Sequence, residues 1–430
     1  MRILAIETSC DDTAISIVEV KGSAKKPVFK VLAHNISSQT KIHEKWGGVV
    51  PSLAKREHGK NLVPLLIKSL KDADLFEVQL RTIRGSKSSS KSDSCPPTGR
   101  VKLLEVPTSK LHKKIEEILD REPELREQFL QTIPTLKIPK IDTIAVTKGP
   151  GLEPALWVGI NFAKALAKVW DKPLYPINHL EGHILASLAT PQTPVKSFHD
   201  HGAKISFPAI SLIVSGGHTE LVLSKDWLKY KIVGRTRDDA VGEAFDKVAR
   251  ILGLPYPGGP EISKLALEVK PPSENQLGGL TSKSSATIKL PRPMLHSGDL
   301  EFSFSGIKTA VLYLVQRLQK ENKFTDKVKA EIAHDFQNAV IEVIIAKTLS
   351  ATKKYKAKTI IAGGGVIANA NLREALKKEA QNEDLNLLIP ELSYSTDNAT
   401  MIALAAGFRL LAGKHKVSHS FKAEGNLNLK

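Results

Sequence analysis

MRILAIETSCDDTAISIVEV, residues 1–20, contains the most informative pattern for the fold. An apolar run at residues 3–6 and an alternating run at residues 14–20 flank the polar turn ETSCDDT, residues 7–13. Short apolar runs on either side of a polar turn predict an antiparallel β-hairpin. A third strand is predicted at residues 29–33, so the chain begins with three antiparallel strands.

The remaining sequence alternates helices with strands and then repeats the order. In the first half, the predicted elements are a helix at 52–70, a strand at 141–146, a helix at 155–169, a strand at 174–177 and a helix from His179. In the second half, they are strands at 209–214, 220–223 and 230–233, a helix at 330–351, a strand at 359–362 and helices at 371–380 and 396–411. This repeat predicts an α/β fold of two similar lobes, residues 1–200 and 201–430, with a cleft between them.

Two stretches fall outside the repeat. Residues 84–139 contain GSKSSSKSDS and a charged, helix-like piece, and residues 270–285 are rich in Pro, Ser and Gly. Such compositions favour solvated insertions in surface loops. The alternative for the first stretch is a basic arm whose Lys and Arg side chains neutralise nucleic-acid phosphates.

Length, charge and cysteine content restrict the class of protein. The 430 residues are 41% hydrophobic, enough for a sizeable core in each of two lobes, and the net charge of +17 favours a polyanionic partner. Cys10 and Cys95 are too few for a disulfide framework, which favours a reducing compartment. We find no apolar run near the ~20 residues of a membrane helix, and because the chain starts in a strand-like run we expect no leader peptide within it. We therefore expect no membrane insertion.

HLEGH, residues 179–183, is the strongest indication of chemistry. Residues four apart on a helix lie about 40° from each other, so His179 and His183 can bind one cation from the same face. In the zinc protease signature HExxH the acid directly follows the first histidine, whereas Glu181 points roughly 200° away from His179. A carboxylate from elsewhere should complete the site. Asp397 in YSTDNAT is the best candidate, unless Thr396 and Asp397 only cap the last helix.

Three glycine-rich turns follow or precede apolar segments, and their backbone N–H groups can bind phosphate oxygens. They are SGGHT at 215–219, PGG at 257–259 and GGG at 363–365 with Asn369. The first turn of the chain adds the hydroxyls of Thr8, Ser9 and Thr13 and the carboxylates of Asp11 and Asp12. Asp246 either faces ribose hydroxyls or pairs with Arg250 at i+4.

Nine motifs together resemble one family. In chain order they are ETSCDDT, GGVVPSLAKREH, GPGL, HLEGH, SGGHT, GEAFDKVARILGLPYPGGP, FSFSGIKTAV, GGGVIANANLR and STDNATMIA. Their order is that of the universal tRNA threonylcarbamoyladenosine transferase family, and the resemblance covers nearly the whole chain outside the two insertions. It implies the actin/Hsp70-like two-lobed fold. The implied reaction moves a threonylcarbamoyl group from its adenylate to the exocyclic amine of the adenosine 3′ to the anticodon, in tRNAs that read codons beginning with A.

The resemblance also implies roles for individual residues. His179, His183 and Asp397 match the metal ligands, and two imidazoles with one carboxylate suit either iron or zinc. The residues that match positions beside the substrate or its nucleotide are Val214, Ser215, Gly216, Gly217, His218, Asp246, Gly259 and Asn369. Asp11 and Asp12 are the candidates for orienting the amine or accepting its proton, although the family often has Glu where this chain has Asp12.

ETSCDDT and SGGHT resemble the bacterial and organellar branch, whereas the Ser/Lys-rich insertion is more like a eukaryotic elaboration. We therefore expect a mitochondrial matrix enzyme of fungal type, with the cytoplasm as the alternative. The expected partners are tRNA, a separate adenylate-forming enzyme that supplies the donor, and a second copy of the chain in a homodimer. Three other functions stay open at this point: a metalloprotease, a phosphotransferase or ATPase of the same superfamily, and a non-enzymatic tRNA-binding protein.

Overall fold

Two five-stranded sheets of identical connectivity form the framework of the molecule. The computed structural model describes residues 1–24, 26–78, 110–188, 205–269, 288–414 and 420–429. The strands are β1 (Arg2–Glu7), β2 (Asp12–Ser23), β3 (Lys26–Ser38), β4 (Thr143–Gly149), β5 (Leu174–Asn178), β6 (Ala209–Val214), β7 (Thr219–Asp226), β8 (Lys229–Arg235), β9 (Thr359–Gly363) and β10 (Asn386–Leu388).

Helices connect and cover these strands. They are α1 (Thr40–Glu44), α2 (Pro51–Asp72), α3 (Lys110–Ile118), α4 (Pro123–Thr132), α5 (Glu153–Trp170), α6 (His179–Ala186), α7 (Val241–Ile251), α8 (Gly258–Ala266), α9 (Ser305–Lys320), α10 (Asp326–Tyr355), α11 (Ala370–Asn382) and α12 (Ala399–Leu411). Short 3₁₀ turns lie at Ile133–Thr135, Gly365–Ala368 and Leu392–Tyr394. None of the helices in the described ranges combines the length and hydrophobicity needed to cross a bilayer.

The two sheets have the same strand order. In the first it is β3-β2-β1-β4-β5, and in the second, read from the opposite edge, it is β8-β7-β6-β9-β10. In each sheet the first three strands pair antiparallel and the last two continue in parallel from the first strand. The prediction of an actin/Hsp70-like α/β fold with two similar lobes is confirmed.

A shared apolar layer joins the lobes. Helices α6 and α12 lie in it, together with one face of each sheet, represented by Ala5 and Val18 on one side and Ile213 and Ile361 on the other. Each sheet buries its opposite face under its own helices. Helix α6 contacts strands of both sheets, whereas α12 packs on the first sheet and reaches the second lobe through Phe408, which stacks on Trp227 after β7. A site built on these two helices is therefore positioned by both lobes.

The end of the chain returns to the first lobe. Helix α12 packs on β1 and β2, and Phe421 and Ala423 are buried in the core of the first sheet. Residues on both sides of position 200 therefore form the core of the first lobe. The division of the chain into two lobes at that position stays a prediction.

For residues 84–139, predicted as an insertion, the expectation of a solvated surface loop is wrong for the second half. Residues 110–136 belong to the first core, where Ile115, Leu119, Leu125, Phe129 and Ile133 are all at most 2% exposed. These side chains follow one another at mostly four-residue intervals, the spacing of a buried helix face. The charged residues between them concealed that face in the overall composition. The first half, up to residue 109, and the loop predicted at residues 270–285 lie outside the described residues.

Phe129→Ala tests whether α4 belongs to the core. Phe129 packs edge to face on Phe162 with ring centroids 5.9 Å apart, and its side chain is fully buried. Its removal is expected to lower the free energy of unfolding by about 3–5 kcal/mol, measured by denaturant titration. Gln131→Ala, on the exposed face of the same helix, should change it by about 0.5 kcal/mol or less. Similar values for the two variants would contradict the assignment.

Candidate active site and metal centre

Helix α6 begins where β5 ends, and it presents both predicted histidines on one face. The Asn178 side chain caps it by accepting hydrogen bonds from the backbone N–H groups of Leu180 at 2.9 Å and Glu181 at 3.4 Å. This cap fixes the first turn, which contains His179. His183 follows one turn later and is completely buried.

Asp397 lies immediately before α12. The predicted alternative, that Thr396 or Asp397 caps this helix, is wrong, because the N-cap is Asn398, whose side-chain oxygen accepts a hydrogen bond from Met401 N at 3.0 Å. The Asp397 carboxylate instead points at the two imidazoles.

The three predicted ligands converge on one point. The Nε2 atoms of His179 and His183 are 3.1 Å apart, and Asp397 Oδ1 lies 3.5 Å from the first and 3.1 Å from the second. Ligand atoms bonded at ~2.1 Å to a tetrahedral ion lie roughly 3.4 Å from one another. The side chains therefore fit a first-row metal ion bound by two imidazoles and one carboxylate.

The charges at this point also favour a cation. Burial lowers the pKa of His179, but the carboxylates of Asp397 and Glu7 outweigh burial and raise it to about 10. Burial and the charge of His179 lower the pKa of His183. With two Nε2 lone pairs facing each other beside a carboxylate, a positive charge between them is stabilised, whether a proton or a metal ion supplies it.

Glu7 supports the site from behind and was missed by the sequence analysis. Its Oε2 atom lies 3.1 Å from His179 Nδ1 and accepts a hydrogen bond from Thr147, and its Oε1 accepts one from Ser9 N. A carboxylate on the far nitrogen fixes the tautomer and the ring orientation of a metal-binding histidine. Glu7 is the first residue of the polar turn ETSCDDT in the sequence and the last residue of β1 in the structure, a position that gave only a weak signal.

Glu181 points away from the histidine pair, as predicted, and holds α6 in place. It is fully buried, and Arg409 near the end of α12 donates to both of its carboxylate oxygens, with Nε–Oε1 at 3.1 Å and Nη2–Oε2 at 2.6 Å. Beside it, a Cβ on Gly182 would lie 2.9 Å from Met401 Cγ, so glycine permits the close approach of the helices. Glu181 is therefore not placed to act as the general base of a zinc protease.

A cleft of about 700 Å³ opens beside this site. Its lining comes from both lobes: Ser9, Cys10, Asp11, Asp12, Gly47, Gly48, Val49, Pro150, Gly151, Leu152, His179, Ser215, Gly216, Gly217, His218, Glu243, Asp246, Lys247, Arg250, Tyr256, Gly365, Thr396, Asp397, Gly425 and Asn426. The structure thus brings the first turn, the SGGH turn and the metal ligands together around one space.

Asp11 and Asp12, both predicted as catalytic, line this cleft. Burial, followed by the neighbouring Asp11 carboxylate, raises the pKa of Asp12 to about 7, and burial also raises the pKa of Asp11. The Oδ1 atom of Asp12 is buried without a hydrogen-bond partner among the described residues. Asp12 can therefore exchange a proton near neutral pH, the property a general base needs. Burial raises the pKa of the Cys10 thiol, which disfavours a thiolate nucleophile there.

The SGGH turn offers free backbone donors. Ser215 N donates to His218 O at 2.8 Å, and His218 N donates to Ser215 Oγ at 3.1 Å, which fixes the turn at the end of β6 after Val214. Within the described chain, the N–H groups of Gly216 and Gly217 have no acceptor, and both residues are exposed in the cleft. Such donors can bind a phosphate or carbonyl oxygen. Burial lowers the pKa of His218 to about 4, so its imidazole is neutral.

Of the three residues predicted to contact the nucleotide, Asp246 lines the cleft, whereas Gly259 and Asn369 do not belong to its lining. Asp246 lines the cleft and accepts a hydrogen bond from Gly258 N at 2.7 Å, whereas Arg250 donates to the Gly47 carbonyl and forms no ion pair with Asp246. Burial raises the pKa of Asp246 to about 6.

Asn369 and Gly259 lie outside the set of cleft-lining residues. The Asn369 amide donates to Gln337 Oε1 at 2.8 Å and to Ser263 Oγ at 3.0 Å, and its oxygen caps α11. The Gly259 carbonyl accepts a hydrogen bond from the Ser263 hydroxyl. Their role as nucleotide contacts stays a prediction, because these observed bonds suffice for a structural role.

The C-terminal wall of the cleft was not predicted from the sequence. Gly425 and Asn426 line it because Gly151 N donates to Gly425 O at 3.1 Å and Glu424 N donates to Lys148 O at 3.0 Å. A Cβ on Gly149 would lie 1.9 Å from Glu424 O, which explains the glycine of GPGL at that position. The run from Phe421 onward has no periodicity that could have predicted this contact.

Comparisons with known proteins agree with the resemblance. The family model described as "TsaD: tRNA N6-adenosine threonylcarbamoyltransferase" matches residues 30–85 and 123–404. A protein named tRNA N6-adenosine threonylcarbamoyltransferase from Persephonella marina is 36% identical over 432 residues, covering 100% of this chain and 96% of the relative. A protein of the same name from Burkholderia thailandensis is 37% identical over 424 residues, covering 98% of this chain and 96% of the relative. Among solved structures, HypF from T. kodakarensis aligns with 69% of this chain and 44% of its own at 13% identity, and its TM-score of 0.44 is too low to inform the site.

Metal content tests the ligand assignment. After loading with Zn²⁺ or Fe²⁺ and removal of excess ion, the unaltered chain should retain about one ion per subunit. His179→Ala, His183→Ala and Asp397→Ala should each lose most of it, because the remaining two ligands cannot hold the ion. His296→Ala, which changes an exposed histidine far along the chain, serves as the control. Full metal content in the three ligand variants would refute the site.

Proposed function

Because this chain belongs to the tRNA N6-adenosine threonylcarbamoyltransferase family, we propose that it transfers a threonylcarbamoyl group to tRNA. The donor is threonylcarbamoyl-adenylate. The acceptor is the exocyclic amine of the adenosine at position 37, next to the anticodon, in tRNAs that read codons beginning with A. The product is N6-threonylcarbamoyladenosine.

One observation carries this proposal: a single cleft contains three features that acyl transfer from an adenylate requires. These are a cation site, free N–H donors in a glycine turn, and a carboxylate with a pKa near neutrality. The donor is a mixed carboxylic–phosphoric anhydride with a good leaving group. The enzyme must therefore orient a weakly nucleophilic amine, stabilise negative charge and remove a proton.

The step balances without any further co-reactant. The amine nitrogen forms a bond to the carbamoyl carbon, the bond from that carbon to the phosphate oxygen breaks, and AMP leaves with the electron pair. Asp12 in its ionised form takes the amine proton, and Asp11 beside it is the second candidate. The N–H groups of Gly216 and Gly217 donate to an oxygen on which charge develops. A metal ion bound by His179, His183 and Asp397 would supply Lewis-acid polarisation of a donor oxygen.

Several finer statements belong to the same proposal. The ion is iron or zinc, the donor comes from a separate adenylate-forming enzyme, and the chain acts as a homodimer. The location is the mitochondrial matrix, with the cytoplasm as the alternative. Support for the matrix comes from the sequence alone, which combines bacterial-type motifs with a Ser/Lys-rich insertion. The net charge of +17 supports tRNA as the partner.

The direct test is an assay with purified components. The chain is incubated with unmodified tRNA, threonine, bicarbonate, ATP and an adenylate-forming enzyme, and the nucleosides are analysed by mass spectrometry. We expect N6-threonylcarbamoyladenosine only when the chain is present. Release of ADP from ATP without tRNA modification would support a phosphotransferase, and metal-dependent cleavage of an unfolded polypeptide would support a protease.

The pH dependence of the same reaction tests the base. Because Asp12 has a raised pKa of about 7, it is protonated below that pH and ionised above it. The rate at low tRNA concentration should rise up to pH ~7 and then level off. Asp12→Asn should lower the rate about a hundredfold or more and abolish the rise.

Asp246→Asn is the control for this profile. Its carboxyl also lies in the cleft, with a pKa of about 6. The reaction rate of this variant should still rise toward pH ~7, whatever the effect of the substitution on the maximal rate. An unchanged profile in Asp12→Asn would exclude Asp12 as the base and leave Asp11 as the candidate.

A further inference from the structure

Trp46 is an exposed aromatic side chain beside the cleft that the proposed reaction leaves unexplained. It is 68% exposed, although the residues that follow it, Gly47, Gly48 and Val49, line the cleft. Exposure alone does not distinguish Trp46, since Tyr313 on α9 is 66% exposed. Its position does, because it directly precedes three cleft-lining residues and so lies at the rim of the cleft.

The backbone that presents Trp46 is firmly held. His43, three residues earlier, is fully buried, its carbonyl accepts a hydrogen bond from Trp46 N at 2.9 Å, and its Nδ1 accepts one from Val50 N at 3.3 Å. From the second lobe, the Arg250 guanidinium donates to the carbonyl of Gly47. The indole is thus exposed on a fixed turn that bridges the two lobes.

The surroundings of Trp46 favour a nucleic acid over a protein surface. Lys41 and Lys45 are exposed on the same turn of the chain, and Arg250 adds a third cation beside Gly47, against one exposed carboxylate, Glu44. Within residues 40–50, the one other exposed large hydrophobic side chain is Ile42, at 37%. A single aromatic in a region of net positive charge is typical of sites where unpaired bases stack, whereas protein docking sites are usually wider apolar patches.

We propose that Trp46 is a stacking platform for an unpaired base of the tRNA anticodon loop, next to the adenosine that enters the cleft. This inference rests on the proposed function for its choice of RNA. Sequence-specific recognition of RNA commonly uses loop bases that leave the helical stack and pack on aromatic side chains. Stacking on Trp46 would hold a neighbouring base outside the cleft while Lys41, Lys45 and Arg250 neutralise loop phosphates.

The experiment measures binding of the full chain to an unmodified anticodon stem-loop RNA by fluorescence anisotropy. Trp46→Ala should weaken binding about five- to 150-fold, because stacking on an aromatic ring contributes about 1–3 kcal/mol per base. Trp46→Phe should retain most of the affinity. Trp46→Leu, which keeps an apolar side chain without a π face, should resemble Trp46→Ala. Tyr313→Ala, which removes a similarly exposed aromatic on α9 (66%), should bind like the unaltered chain.

Each other outcome has a defined meaning. Equal affinity in Trp46→Ala and the unaltered chain would overturn the stacking role, even if the tRNA is modified. An unaltered chain with no affinity for the RNA would overturn it as well. If Trp46→Ala instead abolished self-association and left RNA binding intact, Trp46 would belong to a protein interface and the proposal would be wrong. Trp46-dependent binding without any modified nucleoside would refute the transfer reaction and still support stacking.

Discussion

The contact between α6 and α12 is the constraint on which the site depends. Two features maintain it: the ion pair between Glu181 and Arg409, and the absence of a side chain on Gly182, which lets Met401 approach. Removing one partner of a buried ion pair leaves an uncompensated charge, so breaking this contact carries a large cost in free energy. Because the two histidines lie on α6 and Asp397 directly precedes α12, the same contact sets the distances among the three ligands.

Burial acts differently on the two groups of charges in the cleft. At the metal centre, carboxylates face His179 from two sides, and their attraction for a positive charge outweighs the cost of burial. At Asp12 no cation compensates for burial among the described residues, and Asp11 adds a like charge, so the pKa rises to about 7. One cleft therefore contains a site that retains a cation and a carboxylate that releases its proton near neutral pH. That separation of roles is what transfer to a weakly basic amine requires.

Local sequence patterns predicted much of the fold and of the site. The features that were not predicted depend mainly on contacts between residues far apart in the chain. Helical spacing alone placed His179 and His183 on one face, and alternation of apolar residues predicted the repeated strands. Glu7 escaped prediction because its role arises only when β1 lies beside α6, 172 residues further along the chain. The buried stripe through Leu125 and Phe129 was concealed by the charges around it. Gly425 and Asn426 reach the cleft through main-chain bonds, which side-chain patterns do not reveal.

X-ray absorption spectroscopy of the full chain loaded with zinc or iron reports the atoms bound to the ion, and so shows whether α6 and α12 together build the metal centre. We expect two imidazole nitrogens and a carboxylate oxygen at about 2.0–2.2 Å, any remaining ligands being light oxygen or nitrogen atoms. A sulfur ligand, for example from Cys10, or a shell that lacks imidazole would contradict it. Either result would mean that the convergence of α6 and α12 does not create the metal centre.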